Sequence, residues 1–173
     1  VKTITPATLN IKQTAEETLT RPYDGTTTEA TSFLTEKYVT ITGGVSGENI
    51  YGMLNASLTE GGEIKNADEY TITVTFNAEA KGAGNYSVGD FTSLEIVYTV
   101  TVKTITITFD GYEGLTYNGQ ARTLTATADF VSGESIDLNA LIAYTGDITN
   151  GEAVNAGSYT ATITKAQIVE QNA

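Results

Sequence analysis

Carboxylates are the groups in this sequence closest to doing chemistry, and they come in near pairs: Glu16 with Glu17, Asp68 with Glu69, and Asp110 with Glu113. Two carboxyls roughly 5–10 Å apart can share acid and base roles in glycoside hydrolysis. That division needs one carboxyl raised by apolar or aromatic surroundings. No such surroundings flank these pairs, and without Trp there is no indole platform for a sugar. Solvated loops are the plainer reading. Acids also suit Ca²⁺, and Asp110-Gly111-Tyr112-Glu113 offers oxygen ligands, but the ladder of alternating Asp that builds a calcium loop is missing. A Lys–Asn amide crosslink would need Lys103 or Lys165 buried with Asn66 or Asn155 and an acid; no motif for it is evident.

The sequence has no His and no Cys, which removes Ser-His-Asp and Cys-His triads, zinc sites and thiol redox chemistry. No Gly-rich phosphate loop is present either. The expectation is a non-enzyme with no catalytic, cofactor-binding or metal-ligating residues and no cofactor. A formal charge of -12 disfavours nucleic acid and anionic membrane as partners. No apolar run approaches about 20 residues, so direct membrane insertion is not expected.

The elements that must position these side chains are strands. Thr accounts for 32 of the 173 residues, with ten Tyr and many Val and Ile beside it. Such residues fit a pleated, half-buried surface and make poor helices. Alternation of period two recurs at Thr71–Phe76, at Val100, Val102 and the run Thr104–Phe109, and at Ser158–Thr164. Each run places one apolar row inward and a hydroxyl row outward, as in antiparallel sheets with one wet face. Asp24-Gly25, Gly43-Gly44, Gly61-Gly62, Asn118-Gly119 and Asn150-Gly151 punctuate the runs as turns, with type I′ geometry suiting the Asp-Gly and Asn-Gly pairs. Ala15–Leu19 reads as a polar loop. The stretch Ile136–Ile142 reads as a strand, with a short helix as the alternative.

Self-comparison shows two copies of one unit. Tyr23-Asp24-Gly25 recurs 94 residues on as Tyr117-Asn118-Gly119. Val45-Ser46-Gly47-Glu48 recurs 86 residues on as Val131-Ser132-Gly133-Glu134. Asn66-Ala67-Asp68-Glu69-Tyr70 recurs 89 residues on as Asn155-Ala156-Gly157-Ser158-Tyr159. The order is kept and the offsets differ little, which describes two homologous domains with loop insertions. Asn155 to Tyr159 before an alternating strand resembles a tyrosine corner, whose phenol bonds back to nearby backbone; Tyr70 and Tyr86 are further candidates. Thr3–Leu9 and Thr162–Ile168 also match, as though the chain were cut from a longer tandem array. No Gly, Ser or Pro linker stands near Val100–Lys103, so a stiff junction and an extended rod are expected.

Pro22-Tyr23-Asp24-Gly25-Thr26 followed by Gly82-Ala83-Gly84-Asn85-Tyr86 resembles the YDG repeat of bacterial surface adhesins. Leu115-Thr116-Tyr117-Asn118-Gly119 with Asn155-Ala156-Gly157-Ser158-Tyr159 resembles the related MBG repeat of the same proteins. The expected architecture is all-β: two tandem immunoglobulin-like antiparallel β-sandwich domains, a YDG-like repeat at 1–101 and an MBG-like repeat at 102–173. The alternative is β-grasp-like modules, which would require Ile136–Ile142 to be helical. The resemblance implies a stalk, spacer or adhesive array on the bacterial cell surface, attached to cell wall or outer membrane. Its partners would be neighbouring repeats of the same chain, or host glycan or mucin if the unit is instead a carbohydrate-binding module. A monomeric fragment is expected.

Overall fold

The computed structural model describes residues 2–14, 19–111, 113–149 and 152–170. Glu16, Glu17, Tyr112 and the Asn150-Gly151 turn lie outside the described residues. The chain is mostly β and divides into two compact units, Val1–Lys103 and Thr104–Ala173.

Unit 1 contains β1 (Ala7–Thr8), β2 (Asn10–Gln13), β3 (Leu19–Pro22), β4 (Val39–Thr42), β5 (Leu54–Leu58), β6 (Asp68–Phe76), β7 (Tyr86–Ser87) and β8 (Leu94–Thr101). Its main sheet has the order β3-β8-β6-β5. The β5–β6 and β6–β8 pairs are antiparallel, while β3 runs parallel to β8. Two smaller pairs are β2–β4, antiparallel, and β1–β7, parallel.

The alternating residues of β6 behave as their period dictates. Ile72 and Val74 are fully buried and Phe76 is half-buried against the same core. Thr71, Thr73 and Thr75 are half-exposed, since β5 and β8 flank their strand on both edges. Burial of one such aliphatic side chain contributes about 1.5–3 kcal/mol. Fifteen buried hydrophobic residues form one cluster in unit 1, and the outward-facing Val97 of β8 is left 48 % exposed. The row does not continue through Val102, which is 77 % exposed, because β8 and its pairing end at Thr101.

Unit 2 contains β9 (Ile107–Asp110), β10 (Thr125–Ala128), β11 (Ala143–Gly146), β12 (Tyr159–Thr162) and a short helix α1 (Lys165–Glu170). Its pairs are β9–β10 and β11–β12, both antiparallel. Two expectations fail here. Ile136–Ile142 is not a strand: Leu138–Leu141 form a short 3-10 helix, which is nearer the helical alternative. Asp137 accepts from the Ala140 N–H, Asn139 Oδ1 accepts from the Ala126 N–H at 2.7 Å, and Leu138 is buried. Side-chain acceptors hold the backbone in a turn that a strand would not need. The matched chain ends also differ. Ala7–Thr8 is a strand, whereas Thr164 and Gln167 form a capping box that opens α1: Gln167 Oε1 accepts from Thr164 N at 2.7 Å, and Thr164 Oγ1 accepts from Gln167 N. Pro6 in the first copy stands where Lys165 begins the helix in the second.

Several backbone features recur at the sequence-matched positions. At the 86-residue offset β4 matches β10; β4 pairs antiparallel with β2, and β10 antiparallel with β9. The Leu58–Ile72 partners of β5 and β6 become Tyr144 and Ala161 in β11 and β12. Isolated bridges link Thr28 to Ile64 in unit 1 and Arg122 to Ala153 in unit 2, again at offsets of 94 and 89. Gly25 and Gly119 share a φ of 77°, and Gly47 and Gly133 have φ of 89° and 88°. At these turns glycine avoids the steric cost another residue would meet.

Candidate functional site

The tyrosine motifs act as structural clasps. Tyr70 donates its hydroxyl to the Asn66 carbonyl at 3.0 Å, and Tyr159 donates to the Asn155 carbonyl. Each ties the start of an alternating strand to the loop four residues before it, as a tyrosine corner does. Tyr86 is no third corner. Its hydroxyl donates to Glu48 Oε2 at 2.6 Å and accepts from Val45 N at 3.0 Å. The hydrogen bond to Glu48, helped by burial, pushes the Tyr86 phenol above its ordinary value of 10.0. Burial, with the charge of Glu36, raises Tyr51 likewise.

The Tyr-Asp-Gly and Tyr-Asn-Gly segments are Asx turns rather than two-residue hairpins. Asp24 Oδ1 accepts from Thr26 N at 2.9 Å, and Asn118 Oδ1 accepts from Gln120 N at 3.1 Å. Asp24 also accepts from Thr26 Oγ1 and from Arg21 Nη1, each at 2.6 Å. The Thr26 hydroxyl and amide, then the guanidinium, lower its carboxyl below 3.8.

Both carboxylate pairs among the described residues lie at the surface. Asp68 and Glu69 are exposed, with Asp68 accepting from the Glu69 N–H at 2.8 Å. Asp110, at the end of β9, and Glu113 are exposed too. Among the described residues no three acids cluster as a metal site would require. Asn66, Asn155 and Lys165 are exposed and Lys103 is half-buried, so the enclosure that an amide crosslink needs is absent from these side chains.

The concave feature lies elsewhere, in unit 2. A cavity of about 390 Å³ opens between the segment Leu115–Tyr117 and β12, floored by Ala153 and Tyr144. The Asx turn positions the first wall and the tyrosine corner the second. Tyr144 Oη accepts from Leu124 N at 2.8 Å. Asp147 Oδ2 accepts from Ser158 N at 3.0 Å, and Asn155 Nδ2 donates to Thr149 Oγ1 at 3.0 Å. Arg122 is half-buried at the rim, donates through Nη2 to the Thr116 carbonyl, and keeps an enclosed Nε with no partner. Tyr117 remains 63 % exposed. One cation, three phenols and an open strand edge can recognise a ligand, but among the lining residues no nucleophile is hydrogen-bonded to a base.

Sequence reading missed Arg122 and this cavity. One signal was available, since Arg122 and Lys165 are the two basic residues of 104–173. Among the described residues, no helix is long and apolar enough to cross a membrane. Compared with family models, curated proteins and solved structures, the chain matches none.

Proposed function

We propose that the chain is a pair of non-catalytic repeats from a bacterial cell-surface adhesin, working outside the cell as a stalk or spacer anchored to cell wall or outer membrane. In this reading residues 1–101 are a YDG-type repeat and 102–173 an MBG-type repeat, each built on an immunoglobulin-like sandwich plan. The supporting observation is the repetition itself: the same bridge, ladder register and tyrosine corner recur in the same order at offsets of 86 to 94 residues. Repetition of a scaffold suits spacing better than it suits chemistry. The immunoglobulin-like assignment is supported by order. β2–β4 correspond to strands A and B, β5-β6-β8 to C, F and G, and Tyr70 stands where the corner tyrosine of strand F stands.

A carbohydrate-binding module is the second reading, favoured by the phenols of the unit 2 cavity. Against it, the hydroxyls of Tyr144 and Tyr159 are already committed within the fold. A glycan array at physiological salt separates the two. The spacer reading expects no binding tighter than about millimolar. One reproducible micromolar hit abolished by Tyr117→Ala would replace it with the binding module.

A further inference from the structure

The unit 2 cavity and strand β8 of unit 1 occupy corresponding places. At the 94-residue offset, residues 113–116 correspond to β3; at the 89-residue offset, β12 lies within the match to β6. In unit 1, β8 fills the space between those two elements, with Leu19 to Pro22 opposite Tyr98 to Thr101 on one edge and Tyr70 opposite Tyr98 on the other. In unit 2, among the described residues, β12 pairs with β11 alone, and the chain beyond Thr164 turns into α1. The backbone of β12 is oriented for a second partner. Ser158 O accepts from Asp147 N on the β11 side. Strand backbone groups alternate, so those of Tyr159 and Ala161 point away from β11, toward the cavity.

We propose that this cleft is a strand-acceptor site. It takes an extended peptide that runs antiparallel to β12 and parallel to residues 113–116, with apolar side chains at alternate positions. Main-chain hydrogen bonds supply affinity and alternate side chains supply selection, as in β-strand addition. The occupant's chemistry follows from β8, whose Ile96, Tyr98 and Val100 point inward in unit 1. Ile64 and Ile72 of unit 1 are replaced by Ala153 and Ala161, which leaves room for bulky inward side chains on the incoming strand. Charge selects one end. Thr116 corresponds to Pro22, which faces Thr101, and Arg122 holds the Thr116 carbonyl with its own Nε unpartnered. An acidic residue at the occupant's Thr101 position therefore complements the site. This goes beyond the stalk reading and does not rest on it.

The test uses the full 173-residue chain and dye-labelled synthetic peptides of the β8 sequence, flanked by lysines at the amino end for solubility. Saturable one-to-one binding by anisotropy is expected, with hydrogen-exchange protection appearing at Tyr159–Thr162. A Thr101→Asp peptide should bind better than a Thr101→Lys peptide, and a shuffled peptide should lose about tenfold or more. Ala161→Pro removes one cleft-facing N–H from an edge strand, where proline is tolerated, and should abolish binding. If that variant unfolds unit 2, a peptide N-methylated at alternate amides must fail on the unaltered chain. Equal binding of the shuffled peptide, no saturation up to millimolar peptide, or protection confined to unit 1 would overturn the proposal. A negative result here leaves the glycan-array outcome untouched.

Discussion

Unit 1 and unit 2 share turns, corners and ladder register, yet they differ in what those elements enclose. Unit 1 gathers fifteen buried hydrophobic residues around β6 and β8, including Phe33, Ile64, Ile72 and Ile96. Among the described residues of unit 2, the buried hydrophobics are Ala126, Leu138 and Ala153. The difference lies at matched positions: Ile64 against Ala153, Ile72 against Ala161, Val39 against Thr125. Local turn chemistry is thus enough to set the course of the chain, while bulk at the inward positions and the additional strand β8 set how much core it closes.

The contrast can be broken most directly at β6. Ile72→Ala should destabilise unit 1 by about 2–5 kcal/mol, because it empties a site with no solvent exposure. The matched Ala161→Gly in unit 2 should cost about 1 kcal/mol, from backbone entropy. Denaturant titrations followed by resonances of each unit would measure both. A cost under about 1 kcal/mol for Ile72→Ala would mean that unit 1 does not depend on its core as described.

Gly146→Ala probes the other side. With φ of 114° and the Ser158 carbonyl where a Cβ would stand, the substitution forces β11 away from the corner segment. A loss of about 1–3 kcal/mol confined to unit 2 is expected. An unaltered unit 2 melting transition would show that the β11–β12 ladder does not hold that unit together.

The corners provide a finer comparison. Tyr70→Phe and Tyr159→Phe each delete one hydroxyl bond to backbone, and each should cost about 0.5–1.5 kcal/mol. Equal losses would mark one device used twice. A loss at only one corner would break the equivalence.

The smallest effect is the response of unit 1 to pH. Asp24 is held below 3.8 when folded, so its stabilisation is present above that value and is lost as pH falls through the lowered one. Tyr86 and Tyr51 are raised above 10.0, so their stabilisation is full below that value and disappears as pH rises through the raised ones. Asp24→Asn should flatten the acid limb of unit 1 stability, and Tyr86→Phe the alkaline limb. Unchanged limbs would remove these groups from the account.

Alternation at Thr71–Phe76, Thr104–Phe109 and Ser158–Thr164 was legible in sequence because one face of each run is more buried than the other. The corners were legible because Asn and Tyr stand four residues apart before a strand in both copies. The 3-10 helix at Leu138–Leu141 was not, since its apolar residues fit either period; its one local mark was Asp137, a residue type suited to capping a helical turn. The cavity was further out of reach. Its walls come from segments some 40 residues apart in sequence, and its meaning depends on the β3–β8 pairing, which joins Arg21 to Val100. Alternation reveals that a strand exists and which face it buries, but not which strand lies beside it.

That parallel pairing has a mechanical consequence. β3 follows the short strands β1 and β2 in unit 1, β8 is the unit's last strand, and β3 and β8 run in the same direction. Once the β1–β7 and β2–β4 pairs have given way, tension applied through the chain pulls β3 and β8 in opposite senses along their shared axis. Their interstrand bonds, from Leu19–Tyr98 to Pro22–Thr101, are then loaded in shear and must yield together instead of peeling one by one. Forced unfolding is governed by the unfolding barrier rather than by equilibrium stability. The edge that closes the main sheet of unit 1 is therefore also a force-bearing clamp.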